Sequence, residues 1–221
     1  MTTIALFDVD GTLLNENTSI ILLKSLYLDK KINLWTLLKA KYHNFLFRIN
    51  RFDLEDMKKF SLKFMKGWNK KELDEYCNEI FIKQIKPKLH LDMIKKINEH
   101  KNKNDLIVLL SAAPEIITSK IVKYIKADFS INSIIEIQNG IISGNLKKIC
   151  FAENKYEYFM NFCKEKKINL NKSYFYTDSY TDLKVLNCIG FPNVVNPDKK
   201  LKKIAKEKGW NIIRPQNEKQ K

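Results

Sequence analysis

The sequence predicts an α/β fold, in which a parallel sheet lies between two helical layers and a small all-helical segment is inserted after the first strand. A short apolar run at residues 3–8, ending at a Gly11-Thr12 turn, is typical of a buried strand. Apolar residues are then spaced as in helices until about residue 85, and strands alternate with helices after Pro87. A chain of 221 residues with 44% hydrophobic residues is long enough for such a core and insertion.

The inserted segment, residues 16–85, is predicted to hold three or four helices. Ile20, Leu23 and Tyr27 would lie on one helical face, and Asp53 is a candidate cap for a later helix. We expect the segment to form a cap over the core, which comprises residues 1–15 and 86–221. Its large aromatic residues are expected to build the segment's own core rather than line a pocket; they are Trp35, Tyr42, Phe45, Phe47 and Trp68.

The second half of the chain supplies the remaining layers. Helices are predicted over residues 89–100, 114–126, 152–167, 182–188 and 198–208, and strands over 105–111, 134–137, 141–146, 173–177, 194–195 and 210–213. Asn139-Gly140 favours a hairpin between residues 134–137 and 141–146. In sheets of this kind, ligands bind beyond the carboxyl ends of the strands.

Composition narrows the function classes. The net charge is +15, yet only Arg48, Arg51 and Arg214 are arginines among 40 basic residues. Nucleic-acid binders commonly rely on arginine, so we expect no nucleic-acid partner and a field that favours anionic substrates. Four scattered cysteines suggest reduced thiols in the cytoplasm, and neither a targeting segment nor a membrane span is expected. The oligomeric state is open.

Polar residues follow three of the predicted strands. Asp8 and Asp10 come at the end of the first strand, where one carboxylate can attack phosphorus while the other donates a proton to the leaving oxygen. Ser111 ends the apolar run 106–110 and suits a phosphate oxygen. Asp178 follows another strand and is a candidate oxygen ligand for Mg²⁺, with Asp182 nearby.

These motifs resemble the haloacid dehalogenase-like (HAD) hydrolase superfamily, and most of all its phosphoserine phosphatase-like branch, subfamily IB. The first motif of that superfamily reads Asp-x-Asp-Gly-Thr, as residues 8–12 do here. Ser111 matches the second motif, and Lys155 stands at the interval before Asp178 expected of the third-motif lysine. Thr177-Asp178 through Asp182 match the acidic fourth motif. The resemblance implies a Rossmann-like core and a magnesium-dependent phosphatase.

The resemblance also implies a role for each matching residue. Asp8 would be the nucleophile, and Asp10 the general acid and base. Asp8, Asp178 and the backbone carbonyl of Asp10 would bind Mg²⁺. Lys155 would offset the negative charge around Asp8.

Other matching residues would hold the phosphoryl group or support the catalytic ones. Ser111, Ala112 and Lys155 are the expected phosphate-binding residues. Thr12 and Asp182 are expected to orient their neighbours.

The expected substrate is a small organic phosphate ester. Phosphoserine is disfavoured, because Asn17 stands where the phosphoserine phosphatases have an acidic residue, and Ser61 falls near the position of their cap arginine. Arg48 and Arg51 are either surface charges or partners for another anionic group.

Alternative interpretations are a phosphotransferase, a phosphatase of a phospholipid head group with residues 19–51 resting on a membrane, and, more remotely, a non-catalytic nucleic-acid-binding protein. The expected partner is a small-molecule phosphate ester, and peripheral contact with a membrane is less favoured.

Overall fold

A computed structural model describes residues 2–48, 51 and 62–215 of the protein. Its centre is a seven-stranded sheet whose strands are β1 (Ile4–Phe7), β2 (Leu106–Pro114), β3 (Phe129–Gln138), β4 (Ile141–Lys148), β5 (Tyr174–Thr177), β6 (Phe191–Val195) and β7 (Asn211–Ile213). The order across the sheet is β4-β3-β2-β1-β5-β6-β7. All neighbouring pairs are parallel except β3 and β4, which are antiparallel. The predicted α/β class is confirmed.

The central position of β1 determines where the functional residues meet. Phe7, the last residue of β1, lies opposite Leu109 of β2 on one side and Tyr176 of β5 on the other. Asp8, Ser111 and Asp178 come one or two positions after these three paired residues and therefore share one edge of the sheet. From β1 the chain builds β2, β3 and β4 on one side and then crosses back to build β5, β6 and β7 on the other. Open parallel sheets bind ligands in the crevice at such a reversal of strand order.

Helices cover both faces of the sheet. They are α1 (Thr18–Leu28), α2 (Leu34–Arg48), α3 (Lys70–Ile80), α4 (Leu91–Asn102), α5 (Glu115–Ile125), α6 (Ala152–Glu165), α7 (Leu183–Cys188) and α8 (Lys199–Glu207). Phe7 and its face pack against α1, α3, α4 and α5, whereas Leu6 and the opposite face pack against α6, α7 and α8. Both faces of β1 are buried, which explains its continuous apolar run.

The described part of the inserted segment contains α1, α2, α3 and short helical turns, but no strand. It contacts the core closely: Gly67 N–H donates to the carbonyl of Ile142, Ile142 N–H donates to the carbonyl of Trp68, and Asn69 forms a bridge with Ile141. The division into residues 16–85 and a core stays a prediction. None of the described helices combines the length and the hydropathy needed to cross a membrane.

Several strands differ from their predicted bounds, most of all β2, β3 and β6, and β6 begins at Phe191 instead of residue 194. β2 continues to Pro114 instead of ending at residue 111, so Ser111 lies within the strand. β3 begins at Phe129, five residues before the predicted start, and its first part pairs with β2. Polar residues in that part, including Asn132 and Ser133, hide the strand in the sequence. The predicted hairpin is present as β3 and β4.

Candidate active site

Asp8 is a buried carboxylate at the end of the central strand. Its backbone N–H donates to the carbonyl of Tyr176, a bond of 2.9 Å that extends the pairing of β1 with β5. Its Oδ1 accepts a hydrogen bond of 3.0 Å from Nζ of Lys155, which enters from the first turn of α6. Burial raises the pKa of Asp8 to about 7, against the opposing effect of the Lys155 charge. Asp8 is thus held in place with one oxygen bonded to an ammonium group.

Lys155 is buried between two carboxylates. Besides Asp8, it donates to Oδ2 of Asp182 at 2.8 Å, and that same oxygen accepts a 2.6 Å bond from the hydroxyl of Thr177. Burial alone would lower the pKa of Lys155, but Asp182 and Asp8 outweigh this effect and raise it. The lysine therefore stays charged at neutral pH, and Asp182 fixes its direction.

Asp10 is directed toward the inserted segment. Its Oδ1 accepts a 2.8 Å hydrogen bond from the backbone N–H of Thr18, the first residue of α1. Burial raises the pKa of Asp10 to about 6, while the bond from Thr18 and the charge of Lys155 act in the opposite direction. A carboxyl group placed here can reach both the pocket and the helix that covers it.

Asp178 lies against Gly11, and only a glycine leaves room for it. A Cβ atom at Gly11 would stand 2.0 Å from Oδ2 of Asp178, and the φ angle of Gly11 is +84°. The loop after β5 is held by Thr177, whose hydroxyl accepts from Ser179 N–H at 3.2 Å, and by Asp198, whose N–H donates to the Asp178 carbonyl at 3.3 Å. Burial, followed by the charge of Asp8, raises the pKa of Asp178 well above its usual range.

The carboxylates fit a hard divalent cation. Asp8 and Asp178 line one pocket and repel one another, and within the described residues no hydrogen bond uses the Asp178 carboxylate. The described residues hold no group of three His, Cys, Asp or Glu side chains placed to share a metal ion. Mg²⁺ does not need one, because it is commonly held by one or two carboxylates together with waters and substrate phosphate. The backbone carbonyl of Asp10 was predicted as the further ligand.

The expected phosphate-binding residues lie in the same pocket. Ser111, Ala112 and Lys155 line it together with Asp8, Asp10 and Asp178. The Ser111 hydroxyl accepts from Ala113 N–H at 3.1 Å, which orients it within β2. Thr12 is fully buried outside this lining, and its hydroxyl has no hydrogen-bond partner in the described part of the chain. The structure therefore brings the predicted site residues together, apart from Thr12, while their roles stay predictions.

The inserted segment supplies the other wall of the pocket. Its described lining side chains include no carboxylate, ammonium or guanidinium group, and come from α1, α2 and the residue before α1: Asn17, Ser19, Ile20, Leu23, Ala40, His43 and Asn44. Asn17 caps α1, accepting a 3.1 Å bond from Ile20 N–H, and the adjacent Glu16 forms an ion pair with Lys88 at 2.6 Å. Arg51 is exposed, and Ser61 and the Arg48 side chain lie outside the described residues.

The expectation for the aromatic residues is wrong for three of the five. Trp35, Tyr42 and Phe45 are exposed on α2 instead of forming a core. Trp68 is half-buried against the main core, and the side chain of Phe47 lies outside the described residues. Thr177 was included in the fourth-motif stretch but given no role; it is the last residue of β5 and directly precedes Asp178, and this place is the signal that points to it.

Comparisons with known proteins agree on one family. A family model described as haloacid dehalogenase-like hydrolase matches residues 5–187. The chain is 26% identical over 214 residues to a protein named probable phosphatase from Mycobacterium tuberculosis, covering 96% of this chain and 75% of that one. It is 29% identical over 226 residues to a protein named histidinol-phosphatase from Neisseria meningitidis, covering 96% and 99%.

Solved structures share the fold. A protein of unknown function from Bordetella pertussis aligns with a TM-score of 0.85 at 23% identity, over 96% of this chain and 99% of that one. A substrate-bound phosphoserine phosphatase aligns with a TM-score of 0.72 at 17% identity, over 96% and 93%. The Rossmann-like architecture described above is therefore one that solved structures contain.

Proposed function

Because the chain belongs to the haloacid dehalogenase-like hydrolase family and is a phosphatase of that family, we propose that it hydrolyses a small phosphate monoester through an aspartyl-phosphate on Asp8, with Mg²⁺ as cofactor. The observation that carries the proposal is the buried Asp8 carboxylate, held 3.0 Å from Lys155 in a pocket that Ser111 and Asp178 also line. Asp8 and Asp178, with the Asp10 carbonyl, would hold the cation, whose chemistry is to neutralise charge on the phosphoryl oxygens.

In the first step, an Asp8 oxygen attacks phosphorus and the bond between phosphorus and the ester oxygen breaks. Asp10 donates its proton to the departing oxygen, so that the product leaves as a neutral alcohol. The raised pKa of Asp10, about 6, acts in the required direction, since it leaves a larger fraction of this carboxyl protonated at neutral pH than an ordinary pKa would.

In the second step, Asp10 takes a proton from water as that water attacks the phosphorus. The bond between phosphorus and the Asp8 oxygen breaks, which releases inorganic phosphate and restores both carboxyl groups. Lys155 and Ser111 are proposed to bind the phosphoryl oxygens throughout. Transfer of this kind depends mainly on alignment and charge neutralisation, and the rigid bonds of Lys155 to Asp8 and Asp182 supply such alignment.

The pocket wall contributed by the inserted segment favours a neutral leaving group. Within the described lining of that wall there is no carboxylate, ammonium or guanidinium group. The Asn17 side chain is engaged in capping α1. A substrate with a free ammonium and a carboxylate, such as phosphoserine, would lose the hydration of both charges, and none of these residues offers its ammonium an ionic partner. We therefore expect esters of neutral alcohols to exceed phosphoserine in kcat/KM.

The test is release of inorganic phosphate and of the alcohol from a panel of phosphate esters, with Mg²⁺ and with EDTA. Asp8→Asn should lose activity to background. The matched control, Asp92→Asn, alters a helix carboxylate that forms an ion pair with Lys95 and should retain activity. Alcohol release without equivalent phosphate would instead support a phosphotransferase. Turnover that survives in Asp8→Asn would refute the aspartyl-phosphate.

A further inference from the structure

Helix α2 presents a row of large apolar side chains to solvent. The residues at 35, 38, 42 and 45 are separated by three or four positions and therefore lie on one side of the helix. We call this surface, together with Leu34, the α2 outer face. The exposed fractions are 49% for Leu34, 80% for Trp35, 44% for Leu38, 59% for Tyr42 and 56% for Phe45.

The opposite side of α2 already meets the packing needs of the helix. Leu37 and Ala40 are buried and form a small core cluster with Leu23 of α1. Ala40, His43 and Asn44 line the candidate active-site pocket. The helix therefore separates the pocket from the outer face, and the outer apolar row contributes nothing to that cluster.

The charged residues of α2 itself are all basic. Lys39 and Lys41 are exposed, and their positions in the helix place them on either side of the apolar row. Residues 34–48 contain no Asp or Glu, and exposed Lys30 and Lys31 precede the helix. Across the whole chain the net charge is +15. This is the pattern of a basic amphipathic helix that lies at a membrane interface.

The basic residues of α2 distinguish between two occupants of the outer face, a second copy of the chain and a lipid bilayer. A second copy of α2 would bring the same lysines together with no carboxylate to oppose them, which disfavours self-association. A bilayer with acidic head groups would complement Lys39 and Lys41, while Trp35 and Tyr42 are the residue types that favour the interfacial layer.

We propose that the α2 outer face docks on the surface of an anionic phospholipid bilayer. The docking would place the active-site wall formed by Ala40 and Asn44 one helix diameter from the head groups. The inference does not rest on the proposed catalytic mechanism, because none of the five outer-face residues lines the pocket.

The experiment is cosedimentation of the protein with vesicles of phosphatidylcholine alone or mixed with phosphatidylglycerol. We expect binding to the mixed vesicles, weakened by added salt, and little binding to the neutral ones. Trp35→Ser combined with Phe45→Ser should weaken binding about tenfold or more. The control pair, Ile82→Ser with Leu91→Ser, removes apolar side chains of similar exposure from other elements and should bind as the wild type does.

Two further measurements make the outcome decisive. Both outer-face substitutions should leave the thermal unfolding curve and the turnover of soluble phosphate esters unchanged, which separates docking from catalysis. Absence of binding to mixed vesicles by the folded wild type would overturn the proposal. So would a concentration-dependent dimer that the Trp35→Ser/Phe45→Ser protein no longer forms, since a second copy would then occupy the face.

Discussion

Replacing Gly11 with alanine should separate activity from stability, because the added methyl group would collide with a proposed metal ligand. The new Cβ would lie 2.0 Å from Oδ2 and 2.4 Å from Cγ of Asp178. Ordinary van der Waals contact begins at 3.4 Å. The carboxylate must therefore retreat by about 1.4 Å, and a misplacement of that order costs roughly 100-fold in rate at an active site.

The stability cost of Gly11→Ala has a different origin. At φ +84°, an alanine experiences the strain of the left-handed backbone region, about 1–2 kcal/mol. Asp178 can turn aside at little further cost, because it is a side chain and not backbone. We therefore expect a modest fall in the free energy of unfolding together with a loss of about 100-fold in kcat/KM.

The assay is phosphate release across a Mg²⁺ titration, accompanied by urea unfolding of the same preparations. Gly140→Ala is the matched control: its φ is +78°, and nothing lies within 4 Å of the added Cβ. Both variants should lose similar stability, but only Gly11→Ala should lose turnover and require more Mg²⁺ for half-maximal activity. If Gly11→Ala keeps wild-type turnover and Mg²⁺ dependence, Asp178 does not act where the structure places it.

Two other predictions concern buried charges. Lys155→Met removes the ammonium group that pairs with the buried carboxylates of Asp8 and Asp182, so the free energy of unfolding should fall by about 3 kcal/mol, and urea denaturation that shows no loss would contradict this. Burial, partly opposed by Asp105, lowers the pKa of His100 below its ordinary value of 6.5. Below pH 6.5 the unfolded chain therefore binds a proton at His100 more readily than the native protein does, and the free energy of unfolding should fall as the pH drops. Urea midpoints at pH 7.5 and 5.5 should show a smaller change in His100→Asn, and an equal change would refute the assignment.

The proximity of Asp8, Ser111 and Asp178 could be predicted from the sequence because each follows an apolar run. Asp8 and Asp178 come directly after strands, and the carboxyl ends of neighbouring parallel strands meet at one edge of a sheet. Lys155 was harder to assign, since it is one of many lysines and only its interval to Asp178 distinguished it. Its burial between Asp8 and Asp182 depends on the packing of α6 against the sheet, which no local pattern contains.

The features that the sequence did not reveal depend on tertiary packing. In α2, apolar residues occupy opposite sides, so periodicity cannot tell that Leu37 is buried and Trp35 exposed. In β3, Asn132 and Ser133 interrupt the apolar alternation that identifies a strand. After folding, Asn132 donates to the Ser130 hydroxyl at 2.9 Å and Ser133 accepts from Cys150 N–H at 3.0 Å, whereas Oδ1 of Asn132 is buried without a hydrogen-bond partner among the described residues.

The charge balance of the pocket supports the proposed divalent cation in spite of the basic composition. Four carboxylates, those of Asp8, Asp10, Asp178 and Asp182, face a single ammonium group on Lys155, a net charge of −3 when all are ionised. A phosphate ester adds about two more negative charges. Protons can relieve this repulsion, and the raised pKa of Asp8 reflects that tendency, but a protonated Asp8 cannot attack phosphorus. A divalent cation relieves the repulsion and leaves Asp8 ionised. Since Lys155 is the one lysine in the described lining of the pocket, the excess of +15 speeds the approach of anions but cannot replace the metal.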